Sequence, residues 1–411
     1  MYLLSGFWDD RFADVSPTVI STLAFMKQNR SERNVYCFVS CERPEGAAIR
    51  TGLVNLGKDT TAYAKDFFGT VYLRVVVPCP VTPACQRPLR ITLGGDSEGV
   101  RRLDESNSVA VEYPSKEQVH EFGICVPPIF GCLNPNHVIE WMEMQKILGV
   151  SKIVIHNNSQ CAETSGVFDY YARLGLVELR QDHNVLPYDD RIKRGWNVPM
   201  RRMELFIRDP LMLTDCMYRH MYDIDHMFFV DLDEILVPKN ATTLRAMLNQ
   251  IKRSFQMKNG DYFQMTFRNF FFLMDTLLIA RPADETLPDF THFLKYRRRL
   301  GPSPQNKRRK SIVSGIQCAY VHNHECPLPI HKYKPGAGIP ADAIQVPTDV
   351  GKVHHYRVEP CERNDSGDIV CQDNVASSPI HDDDALLKYR DQLLRNIRIQ
   401  RNRLIQYLPS K

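Results

Sequence analysis

The chain lacks long apolar runs, a strong charge imbalance and a signal peptide. Its longest apolar stretch, residues 270–280, contains Asp275 and is shorter than the roughly 18 residues that a transmembrane helix needs. A formal net charge of +4 over 411 residues gives no electrostatic reason to expect nucleic-acid binding. Residues 1–11 show no charged and apolar leader pattern. These absences predict no membrane-spanning helix among these residues and no nucleic-acid partner.

Cysteine, by contrast, is abundant, and its spacing favours disulfides over zinc. Among the spacings of the 12 cysteines, only that of Cys37 and Cys41 suits half of a zinc site, and no second half follows. We predict that Cys361 bonds to Cys371 and that Cys79 bonds to Cys85. Sequons at Asn29, Asn157, Asn240 and Asn364 are compatible with a secretory-pathway protein. Four pairs have the short spacing of disulfides that close a loop, and we call these pairs loop staples: Cys37 and Cys41, Cys79 and Cys85, Cys318 and Cys326, and Cys361 and Cys371.

The chain is long enough for more than one structural unit, and its pattern changes near residue 120. At 411 residues it exceeds an ordinary single domain. Residues 1–120 contain short β-branched and aromatic runs between proline- and glycine-rich turns, which predict a β-rich accessory region. Residues 121–360 alternate strand and helix patterns, and residues 361–411 comprise a loop and an amphipathic helix at 382–408. We therefore expect three regions, with an α/β domain in the middle.

One βαβ unit is legible at the start of the α/β region. A strand pattern at 124–130 is followed by Asn134 and Pro135, a helix cap and a proline at the first helical position. The helix pattern ends at Gly149, and a second strand pattern covers 152–158. The alternation continues with a helix at 167–175, a strand at 176–179 and a helix at 203–222. This order predicts a mostly parallel, Rossmann-like sheet with helices on both faces.

Two carboxylate residues follow the end of an apolar strand pattern. Residues 227–230 are apolar, and Asp231 and Asp233 follow, separated by Leu232. In a strand the two aspartates would share one face while Leu232 points to the core. Ligands of open α/β sheets bind at the carboxyl ends of strands, and Mn²⁺ or Mg²⁺ needs few protein carboxylates when substrate phosphates complete its shell. The motif therefore predicts a Mn²⁺ or Mg²⁺ site for a nucleotide diphosphate.

A phosphatase of the haloacid-dehalogenase type is the main alternative interpretation, with Asp231 as its nucleophile. Such enzymes usually carry threonine or valine two positions after the second aspartate, where this chain has Ile235. They also place this strand at the start of their domain, whereas a long α/β pattern precedes it here. A catalytically inactive glycan-binding protein that kept the fold is the third interpretation.

Several short segments occur in a specific order along the chain: SGFWDDR at 5–11, FG at 130–131, Trp141, IHNN at 155–158, GLVEL at 175–179, VDLDE at 230–234 and HHYR at 354–357. Together they resemble glycosyltransferase family 92 over most of the chain. The resemblance implies a GT-A fold, a UDP-sugar donor, a Mn²⁺-like cation and β-galactosyl transfer from UDP-galactose to a glycan acceptor, with a fucose-bearing N-glycan as a candidate. It also implies a type II membrane protein of the Golgi lumen, whose anchor we expect to be missing from this sequence.

The resemblance assigns the metal-binding residues. It implies that Asp233 is the main metal ligand, that Asp231 assists it from the ribose side, and that Glu234 supports both from behind. Many enzymes of the GT-A fold bring a C-terminal histidine to the cation, which points to His355 and, after it, to His354. Adjacent histidines are also common on ordinary strands. His322 and His324 form a second pair that we favour less.

Donor-binding residues and a catalytic base are also expected. In the GT-A fold the end of the second strand, with His156, Asn157 and Asn158, lies beside the uridine, although a self-satisfied turn is the simpler alternative. Lys310, next to the basic loop at 297–309, is the candidate for a diphosphate contact. An inverting transfer needs a carboxylate to accept the proton of the acceptor hydroxyl. The candidates that follow the motif are Asp275, Glu325 and Asp284, and no local signal separates them.

Overall fold

The computed structural model describes residues 2–11, 13, 18–27, 34–41, 48–55, 61–63, 72–83, 85, 87–95, 103–181, 210–257, 262–274, 286–303, 308–322, 325–330, 342–357, 361–363, 369–371 and 380–407. In this part of the chain the strands form an eight-stranded, a seven-stranded and a five-stranded sheet, with two further sheets of two strands each. None of the described helices is long and apolar enough to span a membrane.

The first sheet is built from the N-terminal region alone. Its strands are β1 (Tyr2–Asp9), β2 (Val19–Lys27), β3 (Asn34–Cys41), β4 (Ala48–Asn55), β5 (Thr61–Tyr63), β6 (Tyr72–Pro80), β7 (Pro88–Gly94) and β8 (Val109–Glu112). They lie in the order β4-β3-β7-β8-β1-β2-β6-β5. Most neighbouring strands are antiparallel, and β1 pairs in parallel with β8. The predicted β-rich character of this region is confirmed, and the domain boundaries stay predictions.

The remaining strands form the central and C-terminal sheets. They are β9 (His120–Gly131), β10 (Lys152–Gln160), β11 (Val177–Gln181), β12 (Ile224–Phe229), β13 (Glu234–Pro238), β14 (Tyr262–Phe267), β15 (Asn269–Leu273), β16 (Arg298–Pro302), β17 (Lys310–Val313), β18 (Cys318–Tyr320), β19 (Leu328–Pro329), β20 (Asp342–Gln345), β21 (Gly351–Arg357), β22 (Cys361–Arg363), β23 (Ile369–Cys371) and β24 (His381–Asp382). The described helices are α1 (Pro135–Leu148), α2 (Ala162–Arg173), α3 (210–220), α4 (Leu244–Ser254) and α5 (Arg390–Tyr407), with 3₁₀ turns at Gly315–Gln317 and Leu387–Tyr389.

The central seven-stranded sheet has the order β11-β10-β9-β12-β17-β14-β20. Strands β11, β10, β9 and β12 are parallel, whereas β17 runs antiparallel to both β12 and β14. The sheet is therefore mixed, with a parallel half that matches the predicted βαβ unit. The antiparallel strand was not predicted, because its pairing with β12 joins residues far apart in the sequence, such as Met227 and Val313.

Local signals explain the first helix. The side chain of Asn134 accepts a hydrogen bond from the backbone of Asn136, and Pro135 occupies the first turn. Gly149 ends the helix with φ of 102°, a left-handed conformation that glycine adopts without strain. Both predicted ends of α1 are thus confirmed. The C-terminal helix is also confirmed, but it begins at Arg390, because residues 381–382 pair as strand β24.

Each face of the central sheet is covered, though not by helices alone. Helices α1, α2, α4 and α5 bury one face in a large core that includes Trp141 and Leu393. The other face packs against α3 and against the N-terminal sheet, through residues such as Phe7, Phe25 and Met217. Helices therefore lie on both faces of the sheet, but a β-sheet shares the second face, which was not predicted.

Among the described residues, disulfides join Cys37 to Cys79, Cys41 to Cys85, Cys125 to Cys216, Cys132 to Cys161 and Cys318 to Cys326. The Cys318 to Cys326 staple is confirmed, and the predicted Cys79 to Cys85 bond is wrong. Strands β3 and β6 are not neighbours in their sheet, yet the sheet curls enough to bring their cysteines together. In the backbone, Cys361 lies opposite Cys371. Their side chains lie outside the described residues, so that bond stays a prediction.

Candidate functional site

The site lies where the connections of the central sheet diverge. From β9 the chain builds outward through β10 to β11, and it then returns to place β12 on the opposite side of β9. Ligands of open α/β sheets bind at the carboxyl ends of the two strands that flank such a reversal. Asp231 and Asp233 follow the carboxyl end of β12, in the short connection to β13. This connection carries the chain from the central sheet into the five-stranded sheet β13-β21-β15-β16-β24.

The two aspartates lie in a tight turn, not in a strand. Strand β12 ends at Phe229, so the predicted alternation of side chains along a strand does not apply to them. Leu232 still packs against the core, as predicted. The turn is closed by a hydrogen bond from the Glu234 amide to the Asp231 carbonyl at 3.1 Å. The Tyr356 amide donates to the Asp233 carbonyl at 2.9 Å, which ties the turn to strand β21.

Glu234 sits behind the turn and is almost inaccessible to solvent, with 1% of its surface exposed. Its Oε2 accepts a hydrogen bond from the Asp231 amide at 3.1 Å. Its Oε1 accepts one from Nδ2 of Asn269 at 3.2 Å. The indole of Trp141 donates to its backbone carbonyl at 2.8 Å. Burial raises the pKa of Glu234, against the opposing charges of Lys310 and His355. Because its polar partners are donors, we take the group to be a carboxylate.

Lys310, at the start of β17, is buried beside the motif. Its Nζ lies 2.6 Å from Oε2 of Glu234 and 3.1 Å from Oδ2 of Asp231. Burial alone would lower the pKa of Lys310, but the two adjacent carboxylates outweigh burial and raise it. The lysine therefore carries a permanent positive charge next to Asp231. Its predicted contact with a diphosphate stays a prediction.

His355 reaches the motif from β21, which pairs with β13. Its Nε2 lies 3.4 Å from Oδ2 of Asp233, and its Nδ1 lies 3.3 Å from Oε1 of Glu234. Burial lowers the pKa of His355, but the charges of Asp233 and Glu234 outweigh burial and raise it. His355 is thus placed where a cation held by Asp233 would meet an imidazole nitrogen.

His354 does not reach the motif, which corrects its place among the predicted ligands. Successive residues of a strand point to opposite faces, so His354 faces away from His355. It is fully buried, stacks on Phe272 with ring centroids 4.2 Å apart, and lies 4.0 Å from Asp383. Burial lowers its pKa to about 3. His354 is therefore a neutral core residue.

The negative charge at the motif and one carboxylate oxygen without a hydrogen-bond partner among the described residues suit a divalent cation. Three carboxylates, Asp231, Asp233 and Glu234, face one lysine, so the cluster is negative before His355 is counted. Oδ1 of Asp233 is shielded from solvent and has no hydrogen-bond partner among the described residues. A cation would satisfy that oxygen and offset the charge. The donor atoms of Asp231, Asp233 and His355 do not all lie within 4.8 Å of one another, so these three side chains do not all ligate one cation as they are placed here. Substrate oxygens would have to supply the remaining ligands.

Among the described residues, one set of three potential metal ligands has all of its donor atoms within 4.8 Å of one another, namely Cys132, Cys161 and Glu163. Two of its members are joined in a disulfide, so this set is not a metal site.

The predicted nucleotide contacts lie on β10, two strands from the motif. His156 is buried, with 2% of its surface exposed, in the middle of that strand. Asn157 and Asn158 continue the strand, but their side chains lie outside the described residues. The carboxyl ends of β10, β9 and β12 share one edge of the sheet, as the prediction requires.

The candidate bases are only partly visible. Asp275 and Asp284 lie outside the described residues, and so does His324 of the less favoured histidine pair. Glu325 forms an ion pair with Arg309, one residue before Lys310. Its backbone also exchanges hydrogen bonds with His322, in the loop closed by the Cys318 to Cys326 disulfide.

A further segment beside the motif was missed by sequence reasoning. Glu140 on α1 is fully buried, and it accepts hydrogen bonds from the amides of His292 and Phe293. Burial raises the pKa of Glu140 to about 8, against the lowering effect of these amides. The ring centroids of His292 and His137 lie 3.8 Å apart with the rings tilted, and Asp233 is close enough to affect the pKa of His292. The only signal in the sequence was an acidic residue within the apolar pattern of α1.

Comparison with known proteins bears on this site. The family model for glycosyltransferase family 92 matches residues 120–397, more than half of the chain. The match includes the Asp231 to Asp233 turn, Lys310 and His355. A search of curated proteins found no match.

Proposed function

Because the chain belongs to glycosyltransferase family 92, we propose that it moves galactose from UDP-galactose to a glycan hydroxyl in a metal-dependent, inverting reaction. Family membership supports glycosyl transfer as the reaction class. One observation carries the metal dependence. Within an acidic cluster at the carboxyl end of β12, one oxygen of Asp233 is shielded from solvent and has no hydrogen-bond partner among the described residues. A nucleotide diphosphate is itself an anion, so this cluster would repel it unless a cation bridged the two.

The proposal includes a GT-A arrangement of the catalytic region. The parallel run β11-β10-β9-β12 supports it, because this run brings the predicted nucleotide contacts and the Asp231 to Asp233 turn to one edge. The antiparallel β17 then brings Lys310 to the same edge. The donor would lie across β9, with its nucleoside near His156 and its diphosphate near Asp233.

Asp233 and His355 would hold the cation, and Asp231 would assist them from nearby. When bound, the cation would act as a Lewis acid that neutralises charge on the departing diphosphate. Lys310 orients Asp231 through their contact and adds a fixed positive charge. Asp275 and Glu325 stay candidate bases for the acceptor proton, and Glu325 would have to leave Arg309 first.

The proposed acceptor is a glycan, with a fucose-bearing N-glycan as the first candidate, and the proposed location is the Golgi lumen. Disulfides persist in the oxidising secretory pathway and are rare in the cytosol. The described disulfides therefore support that location. The proposal includes a type II membrane anchor.

The test measures transfer and hydrolysis of a panel of nucleotide sugars with and without Mn²⁺. We expect UDP-galactose to be used well ahead of UDP-glucose, because polar groups that bond one hydroxyl can strongly reject its epimer. Exhaustive chelation should abolish turnover. The Asp233→Asn variant should fold and lose at least about 100-fold in activity, since a Lewis acid contributes several kcal/mol. Coupling constants should show a β-linked product.

An α-linked product or equal use of both donors would contradict the inverting galactosyl transfer. Full activity of Asp233→Asn would contradict the metal assignment. A covalent phosphate on Asp231 would favour the phosphatase alternative. Glycan binding without any UDP binding would favour the inactive relative.

A further inference from the structure

We propose that His137 and His292 form one wall of the subsite for the transferred hexose, and that the His292 ring bonds a hydroxyl of this sugar. The inference rests on the proposed function and deepens it, because it names side chains that would contact the sugar part of the donor. Neither histidine belongs to the proposed metal ligands.

The two histidines meet at the edge of the sheet that carries the motif. His137 lies in the first turn of α1, directly after the carboxyl end of β9, across which the donor would lie. The ring centroids of His137 and His292 are 3.8 Å apart. The ring of His292 also lies 6.3 Å from that of Tyr356, whose amide bonds the Asp233 carbonyl. The pair is therefore placed between the start of α1 and the strand β21 that flanks the motif.

The position of His292 relative to Asp233 favours the donor sugar over the acceptor. Burial and the nearby His137 lower the pKa of His292, and Asp233 is close enough to oppose them. A cation at Asp233 would hold the diphosphate, to which the hexose is directly joined. In an inverting displacement the acceptor approaches the anomeric carbon from the side opposite the diphosphate. A side chain near Asp233 is therefore better placed to contact the donor hexose.

Backbone contacts hold the segment that carries His292. The buried carboxyl group of Glu140 accepts hydrogen bonds from the amides of His292 and Phe293. The Lys295 amide donates to the His292 carbonyl at 3.2 Å, and the Phe293 ring lies 4.8 Å from that of Tyr356. The backbone of His292 is thus fixed, whereas its side chain stays half-buried. A fixed backbone with an accessible ring suits a residue that orients a ligand.

The two rings have polar atoms to offer to a sugar. Among the described residues, neither ring has a hydrogen-bond partner. An imidazole nitrogen can donate a hydrogen bond to a hydroxyl or accept one from it. The aspartates of the motif would contact the cation and the ribose, so other polar groups must distinguish galactose from glucose. A site that bonds one hydroxyl can reject a sugar that cannot make this bond.

Packing of the two rings against each other is the competing account, and it needs no imidazole nitrogen. The experiment therefore compares the wild type with His292→Phe, which keeps a ring beside His137 but removes both nitrogens, and with His292→Ala, which adds no bulk. His120→Phe is the matched control, because His120 is also half-buried and bonds Ser151 at the opposite end of β9 from the motif. Calorimetry with Mn²⁺ measures the binding of UDP, UDP-galactose and UDP-glucose to each protein.

We expect the wild type to bind UDP-galactose more tightly than UDP, since the hexose adds contacts. Both His292 variants should bind UDP-galactose about 10-fold more weakly, the usual effect of losing one hydrogen bond, and UDP within about twofold of the wild type. Their preference for UDP-galactose over UDP-glucose should narrow. His120→Phe should change none of these affinities.

Three results would overturn the inference. They are unchanged UDP-galactose binding by both His292 variants, wild-type binding by His292→Phe alone, and an equal loss of UDP and UDP-galactose binding. The second result would mean that the ring only packs, and the third would place His292 at the nucleotide or the cation. Failure of the wild type to bind UDP with Mn²⁺ would instead overturn the proposed function.

Discussion

The buried Glu140 predicts a specific dependence of stability on pH. This carboxyl group lies on α1, is inaccessible to solvent, and has a pKa raised by burial from 4.5 to about 8. Between these two values the unfolded chain has lost the proton and the folded chain keeps it. Stability that is fully present below pH 4.5 is therefore lost as pH rises to about 8. One pKa unit corresponds to about 1.4 kcal/mol, so the loss is about 1.4 kcal/mol per pH unit within this window.

Glu140→Gln removes this titration while it keeps the size of the side chain. We compare the free energy of unfolding of the wild type with that of the variant at each pH. The wild-type value minus the variant value should fall by about 1.4 kcal/mol for each unit of rising pH above 4.5, and it should become constant beyond about pH 8. Urea unfolding, followed by the fluorescence of the adjacent Trp141, measures both free energies at each pH. Glu143→Gln is the control for loss of a buried carboxylate on the same helix.

A difference that does not change with pH would refute this reasoning. It would mean that the amides of His292 and Phe293 keep Glu140 ionised in the folded protein, so that hydrogen bonding to the charged form outweighs burial. A difference that increases with pH would refute it as well. In either case Glu140 would act as a charged anchor for the segment that carries His292.

Three further outcomes are expected. Lys310→Met leaves Glu234 buried without its cation, so urea unfolding should show a loss of about 3–5 kcal/mol, and full stability would contradict the ion pair. His354→Asn should leave the affinity for Mn²⁺ and UDP within about twofold of the wild type by calorimetry, whereas a loss of 10-fold or more would return His354 to the ligand set. Non-reducing peptide mapping should recover Cys361 bonded to Cys371, which lie opposite each other in β22 and β23. Recovery of both cysteines as free thiols would show that this disulfide does not form.

Local signals in the sequence were sufficient for the parallel half of the central sheet. The cap at Asn134, Pro135 in the first turn and Gly149 at the end define α1 without reference to the rest of the molecule. The apolar strand before Asp231 likewise placed the motif at the edge of a sheet. Each of these features depends on residues within a few positions of one another, and each could therefore be predicted.

Features that depend on distant pairing could not be predicted in the same way. Strand alternation implies that only one of His354 and His355 can face the motif, but only the pairing of β21 with β13 shows which one. The bond of Cys79 to Cys37 likewise depends on how the N-terminal sheet curls. The contacts of Glu234 with His355 and Lys310 join three separate strands, and no spacing rule in the sequence relates them.

The N-terminal sheet is bound into the catalytic region more closely than a change in sequence pattern suggests. Phe7 stacks on Tyr218 of α3 at 5.5 Å, and both belong to the core that covers one face of the central sheet. Arg11, buried and paired with Asp9, donates to the carbonyl of Gly315 at 3.0 Å, just beyond the strand that carries Lys310. A boundary near residue 120 separates two sequence patterns, and the family match begins there, but the hydrophobic core extends across it. Without the N-terminal sheet, the part of this apolar face that α3 does not cover would be exposed to water, so we expect each region to stabilise the other.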